Sequence, residues 1–142
     1  MNDLTSVPGI DAIAEGQEYS ENVELDETRV SAFIALTGDT APIHTDIEHA
    51  KRMGFPALVV HGLLVAAHYS RMLGMHLPGG NTVIHHIQLD MVQPVFVGET
   101  LTYTVSVSRV IAAVKTVKLN LSARKQDGTV VSRGQATCVF KI

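Results

Sequence analysis

The chain has 142 residues, of which 46% are hydrophobic and 18% are charged, and its net charge is −3 at pH 7. This length predicts a single domain with a core large enough to fold without disulfides or a structural metal. The hydrophobic content excludes a disordered chain, and the lone Cys138 excludes an internal disulfide framework. Because the surface cannot be broadly basic, nucleic acid is not expected as a partner.

The N-terminal residues are mildly acidic and lack the basic and apolar regions of a signal peptide. The most apolar stretch, residues 55–67, is shorter than the roughly 20 residues that a membrane span needs. We therefore expect a cytoplasmic protein that does not enter a membrane.

The first half of the chain shows the apolar spacing of helices, after a short strand predicted over residues 17–23. Three helices are predicted, over residues 27–36, 47–53 and 61–74. Asp26 and Asp46 lie at the N-cap positions of the first two, and Gly38 is placed to end the first. The third helix is apolar around most of its circumference, so we expect it to be buried.

The second half alternates between apolar and polar residues, which is typical of strands that cover a core on one side. Four long strands are predicted, over residues 83–92, 101–107, 117–123 and 130–140. Asp127-Gly128 predicts a two-residue hairpin turn between the last two. The pattern favours an α+β fold in which an antiparallel sheet of about five strands wraps around one buried helix.

Two polar side chains stand close together in the segment LTGDTAPIHTD, residues 36–46. Asp39 and His44 are separated by Pro42, which fixes φ and prevents a continuous helix. A rigid turn can aim both side chains into one space, where a carboxylate and a neutral imidazole can move protons at neutral pH. The spacing alone also fits a capped loop with a surface histidine, and by itself it favours that interpretation.

The segment VVHGLL, residues 59–64, places Gly62 at the start of the third helix. The backbone N–H groups of a first helical turn are unpaired and lie at the positive end of the helix dipole. Because glycine has no Cβ, a ligand carbonyl can approach its N–H closely and find an oxyanion site. Gly62 could also serve only to let the helix pack against the sheet, and the two interpretations are compatible.

The segments GDTAPIHTD and VVHGLL resemble the MaoC-like (R)-specific enoyl-CoA hydratases, whose pattern is roughly G-D-x-N-P-[ILV]-H-x-D followed by [IV]-V-H-G-[ML]. A third match is PVFVGET at residues 94–100, and the resemblance covers about residues 15–140. It implies a single hot-dog domain over residues 1–142, in which residues 1–14 are expected to be loosely ordered, and it implies a homodimer.

The resemblance also implies site residues. Asp39 and His44 correspond to an acid/base pair that adds water to an acyl thioester, Gly62 to the backbone donor that polarises the thioester carbonyl, and Ser70 to a residue that supports the pair. The expected substrate-binding residues around them are Ala41, Pro42, Val60, His61 and Leu63. Ala41 stands where the family usually has Asn, so we expect the loop to lack that side-chain brace.

The implied reaction is reversible hydration of trans-2-enoyl thioesters, carried on coenzyme A or an acyl carrier protein, to (R)-3-hydroxyacyl thioesters without a cofactor. No metal is expected, because the seven histidines show no metal-ligand spacing. Four methionines, Met53, Met72, Met75 and Met91, are candidates for an acyl tunnel, although core filling is their more common use. Two alternatives remain: a hot-dog acyl-CoA thioesterase and a non-catalytic subunit that binds acyl thioesters.

Overall fold

A computed structural model describes residues 8–142 of the chain. Its helices are α1 (Glu27–Thr37), α2 (Pro42–Thr45), α3 (Ile47–Arg52) and α4 (Gly62–Met75). Its strands are β1 (Glu18–Glu24), β2 (Thr82–Met91), β3 (Thr100–Ile111), β4 (Thr116–Lys125) and β5 (Val130–Phe140). Within these residues, no helix is long and apolar enough to cross a membrane.

The five strands form one antiparallel sheet in the order β1-β3-β4-β5-β2. Along β3 and β4, buried apolar residues alternate with more exposed polar ones, so one face of the sheet covers the core and the other faces solvent. The predicted α+β architecture is therefore confirmed. Cys138 is buried on β5, and burial raises the pKa of its thiol to about 11.

Helix α4 packs on the covered face of the sheet through Val65, Tyr69, Met72 and Leu73, which are buried. The prediction that this helix is buried holds for the face toward the sheet but not for its opposite face, where Leu63 is 74% exposed. The reason is geometric, because one sheet can cover only one side of a helix. An apolar sequence does not show which side that will be.

The predicted caps are confirmed. The Asp26 side chain accepts a hydrogen bond from the backbone N–H of Arg29 at 2.9 Å, and Gly38 ends α1 with φ of 71°. Asp46 accepts from two backbone N–H groups at the start of α3. Pro42 does more than interrupt the chain, since it occupies the first turn of the short helix α2.

Two expectations differ from the structure. Residues 1–7 lie outside the described part of the chain, but in the rest of the segment expected to be loosely ordered, Ile10 and Ile13 pack against the core. The β4–β5 hairpin is present, but its loop is longer than the two predicted residues. The Lys125 N–H bonds the Thr129 carbonyl at 2.9 Å, which leaves a three-residue loop in which Gly128 has φ of 88°.

Candidate active site

The connection between α1 and α2 brings Asp39 and His44 together. A carboxylate oxygen of Asp39, a ring nitrogen of His44 and a ring nitrogen of His61 all lie within 4.8 Å of one another. Asp39 follows the left-handed Gly38 that ends α1, and His44 lies within α2. The turn therefore brings the two side chains together, as the family resemblance implies, and a single water molecule is small enough to contact both.

The orientation of Asp39 is fixed by its own turn. Its Oδ1 accepts a hydrogen bond from the backbone N–H of Ala41 at 3.1 Å, and its N–H donates to Thr37 Oγ1 at 3.2 Å. The loop therefore has a brace although Ala41 replaces the asparagine usual in the family. The second carboxylate oxygen has no recorded hydrogen bond to residues 8–142 and can accept one from a ligand.

The tautomer of His44 follows from its partner. Its Nδ1 lies 2.6 Å from the backbone carbonyl oxygen of Val59. A carbonyl oxygen can only accept, so Nδ1 carries the proton and the Nε2 of the neutral ring carries a lone pair. His44 thus keeps an acceptor atom on a ring that lies close to the Asp39 carboxylate.

His61 lies behind this pair. Its ring stacks on His44 with centroids 3.7 Å apart, and its Nε2 lies 3.0 Å from the Asp39 carbonyl oxygen. The residue is 2% exposed, and its Nδ1 is buried without a partner among the described residues. His61 was predicted to contact substrate, but the structure places it against the backbone and ring of the pair rather than in the cavity wall.

A cavity of about 280 Å³ opens beside His44 and the first residue of α4, Gly62. Most of its wall is apolar and includes Val59, Val60, Val65, Met91, Val95 and Val131. The Gly62 N–H has no recorded acceptor in the described part of the chain, as expected for a first helical turn. A Cβ at Gly62 would lie 3.8 Å from Met91 Cγ, so Met91 crosses the helix start closely. The cavity thus joins an apolar wall to a backbone donor and to the ring of His44, and Asp39 lies close to that ring.

Some of the remaining predicted site residues lie at the cavity or the turn, and others lie away from both. Val60 lines the cavity, and Ala41 and Pro42 form the turn that carries the pair. Leu63 points away from the core, and Ser70 is exposed about 12 Å along the helix from Gly62. No hydrogen bond from Ser70 to Asp39 or His44 is recorded, so its supporting role stays a prediction.

Residues 91–95 and Val131 form part of the cavity wall, and the sequence analysis did not assign them together to the site. Met91 had been considered for an acyl tunnel, whereas Met72 proves to be a core residue. The family match at PVFVGET could have indicated this part of the wall, because its first two residues, Pro94 and Val95, line the cavity. Nothing local in the sequence places Val131 there.

The three close side chains Asp39, His44 and His61 also resemble a set of metal ligands by distance. The two imidazole planes differ by only 24° and stack face to face. The lone pairs lie in the ring planes, so stacked rings cannot both direct them at one ion. The arrangement therefore suits proton transfer better than metal binding, and the expected absence of a metal stays a prediction.

Comparisons with known proteins identify the family of the chain. The family described as MaoC like domain matches residues 10–127. An (R)-specific enoyl-CoA hydratase from Rhodospirillum rubrum is 33% identical over 88% of this chain and 86% of its own length. One of the same description from Aeromonas caviae is 31% identical over 85% of this chain and 90% of its own. A mitochondrial 3-hydroxyacyl-[acyl-carrier-protein] dehydratase from Solanum lycopersicum is 35% identical over 78% and 67%, respectively.

Solved structures show the same fold. An (R)-hydratase from A. caviae, described as involved in PHA biosynthesis, superposes with a TM-score of 0.86 at 29% identity, over 91% of this chain and 98% of that one. An unliganded R-hydratase from Pseudomonas aeruginosa also gives 0.86, at 25% identity over 93% and 84%. These superpositions confirm the expected hot-dog fold.

Proposed function

The chain belongs to the MaoC-like domain family, and we propose that it is a hydro-lyase that reversibly hydrates trans-2-enoyl thioesters to (R)-3-hydroxyacyl thioesters. The observation that carries the proposal is the close approach of Asp39 and His44, with His44 lining the cavity. A carboxylate oxygen of Asp39 and a ring nitrogen of His44 lie within 4.8 Å of each other, and each side chain has one atom bonded to a backbone group. The remaining atoms suit a bound water.

In this mechanism, water bound between Asp39 and His44 gives up a proton to the pair while its oxygen attacks C3 of the enoyl group. The electrons of the double bond move toward the thioester oxygen. A proton then reaches C2 from the pair, and the thioester carbonyl re-forms. The acid and base roles are assigned to the pair rather than to either residue.

The charge that develops on the thioester oxygen needs a hydrogen-bond donor. Gly62 begins the 14-residue helix α4, so its N–H lies at the positive end of the helix dipole and beside the cavity. Donors of this kind in other enzymes contribute about 10²–10³-fold in rate. The apolar wall around it suits the acyl chain of the substrate.

The carrier on which the acyl group arrives is either coenzyme A or an acyl carrier protein. Relatives with each description cover most of this chain. The proposal therefore names the enoyl thioester as the substrate class.

We further propose that two copies of the chain pair along β2. This strand is an edge of the sheet, and its apolar side chains include Val83, Ile87 and Met91, which are 45%, 41% and 47% exposed. Met91 also lines the cavity, so a second copy there would complete the site. Ile87→Lys is expected to convert the dimer to a monomer in sedimentation velocity, and a monomeric wild-type chain would contradict the pairing.

One assay tests the activity. Enoyl absorbance and free thiol are followed together with purified protein and a series of trans-2-enoyl-CoA chain lengths, and the configuration at C3 of the product is determined. Loss of enoyl absorbance without thiol release, giving the (R) product, supports the proposal. Thiol release would indicate a thioesterase, and saturable binding without turnover would indicate a non-catalytic subunit.

A further inference from the structure

The orphaned nitrogen of His61 directs attention to this residue. His61 is almost completely buried, yet its Nδ1 has no partner among residues 8–142. A buried polar atom without a partner is unfavourable, and such atoms in native proteins usually have a functional reason. Two of the side-chain contacts of His61 are to the proposed acid/base pair.

The first contact is a hydrogen bond. The Nε2 of His61 lies 3.0 Å from the backbone carbonyl oxygen of Asp39, which can only accept. The proton of His61 therefore resides on Nε2, and the bond ties Asp39 to the start of α4 across 22 positions of sequence. It acts at the residue whose carboxylate must face the water.

The second contact is a ring stack. The His61 and His44 centroids are 3.7 Å apart, and the other neighbour of the His61 ring is Phe33, at 4.9 Å. His44 is already held at Nδ1 by Val59, so the stack removes its remaining freedom to swing about that bond. Together, the two contacts fix the direction of His44 Nε2.

The peptide bond from His61 to Gly62 adds a third connection. The N–H of Gly62 is the proposed oxyanion donor. Because Gly62 follows His61 directly, His61 sets the position of this N–H relative to Asp39. We propose that His61 is a positioning residue that holds Asp39 by a hydrogen bond, His44 by stacking and the Gly62 N–H by covalent linkage. This proposal rests on the proposed function, but it makes claims about geometry that can be measured without turnover.

Three variants separate the contacts. His61→Phe keeps a ring against His44 and removes the donor, whereas His61→Gln keeps an N–H donor near the Asp39 carbonyl and removes the ring. His61→Leu removes both. Because a displacement of about 1 Å can lower a rate by about 100-fold, we expect kcat to fall about 100-fold in His61→Leu and about 10-fold in each of the others. KM should change less than about threefold, because His61 does not line the cavity. His49→Gln, on α3, is the matched control and should behave as wild type.

A second readout does not depend on activity. In ¹⁵N-histidine NMR spectra, wild type and His49→Gln should show one sharp set of His44 ring signals with the proton on Nδ1, whereas His61→Leu should show shifted or broadened His44 ring signals, because the stack no longer holds the ring. A wild-type kcat or an unchanged His44 signal in folded His61→Leu would overturn the proposal. The proposal would also be overturned if kcat fell equally in all three variants and only in proportion to the fraction of folded protein. If wild type hydrates no enoyl thioester, the proposed function fails, and the NMR comparison still decides whether His61 positions His44.

Discussion

The Nδ1–H of His44 donates to the carbonyl oxygen of Val59 over 2.6 Å, and this bond connects the turn that carries Asp39 and His44 to the segment before α4. It settles which nitrogen of His44 can accept a proton. The same segment is held in turn by the cavity wall, since the Val60 N–H bonds the Val95 carbonyl at 2.7 Å. The orientation of one side chain therefore depends on three separate stretches of chain.

The first prediction concerns this bond. In His44→Asn, the amide nitrogen lies near the position of Nδ1 and can keep the bond to Val59, but no group replaces Nε2. We expect kcat to fall by about 10³-fold, within the range of general acid–base catalysis, while the thermal midpoint changes little. His49→Asn serves as the control. A fall in activity that only accompanies unfolding would argue against the assigned role.

A second prediction concerns Met91, which lines the cavity beside Gly62. Met91→Ala enlarges the cavity where the acyl chain is proposed to lie. We expect kcat/KM for longer 2-enoyl thioesters to rise relative to crotonyl-CoA by about 10-fold, since one methylene in an apolar pocket changes discrimination by about 10- to 200-fold. Met53→Ala, at an exposed position away from the cavity, should leave the ratio unchanged. An unchanged ratio in Met91→Ala would place the acyl chain elsewhere.

A third prediction concerns the closest packing in the sheet. A Cβ on Gly134 would lie 1.8 Å from the Gln88 carbonyl oxygen on the neighbouring strand β2. Gly134→Ala must therefore push β5 and β2 apart, and we expect it to lower the free energy of unfolding by about 1–3 kcal/mol. A Cβ at Gly74, in α4, would meet no other atom, so Gly74→Ala should raise the free energy of unfolding by up to about 1 kcal/mol. Urea titration of both variants measures the difference, and equal stabilities would refute the strand contact.

A fourth prediction concerns pH. Glu21 on β1 lies 2.6 Å from His68 Nε2 on α4 and accepts a hydrogen bond from Tyr19. Burial lowers the pKa of His68 below 6.5, and the Glu21 carboxylate opposes this only in part. Burial raises the pKa of Glu21, but hydrogen bonds from Tyr19 and His68 outweigh it, so the net pKa lies below 4.5.

Both pKa shifts make the folded protein less stable as the pH falls. Where the unfolded chain binds more protons than the folded one, acidification favours unfolding. The free energy of unfolding should thus begin to fall below about pH 6.5 through His68, and fall further below about pH 4.5 through Glu21. His68→Gln cannot titrate and should flatten the first part of the curve in urea titrations at a series of pH values. If its curve stays parallel to that of wild type, His68 is not responsible.

Local patterns in the sequence were sufficient for most of the fold, whereas the pairing of Asp39 with His44 was expected mainly from the family resemblance. Asp26, Gly38, Asp46 and Pro42 act through their own backbone neighbours, so their roles can be predicted from adjacent residues. The alternation along β3 and β4 likewise reports burial directly. The loop brace at Ala41 was missed because the Asp39 side chain supplies it, where the family pattern directs attention to Asn.

The remaining features depend on contacts between distant residues. The bond from His61 to Asp39 spans 22 positions, and Val131 joins the cavity only through the pairing of β5 with the sheet. The exposed face of α4 has a similar origin, since apolar residues surround the helix but the sheet covers one side. Such features follow from tertiary packing, which periodicity does not encode.

The most direct test of the account is the hydration of crotonyl-CoA by Asp39→Asn. Asparagine keeps the size of the side chain and an oxygen for the Ala41 N–H, but it removes the charge that is proposed to hold and activate water. We predict a folded protein whose kcat/KM falls by at least about 10³-fold. Asp11→Asn, at an exposed residue, is the control and should react at the wild-type rate. Hydration by folded Asp39→Asn at the wild-type rate would contradict the central claim that Asp39 and His44 activate the water.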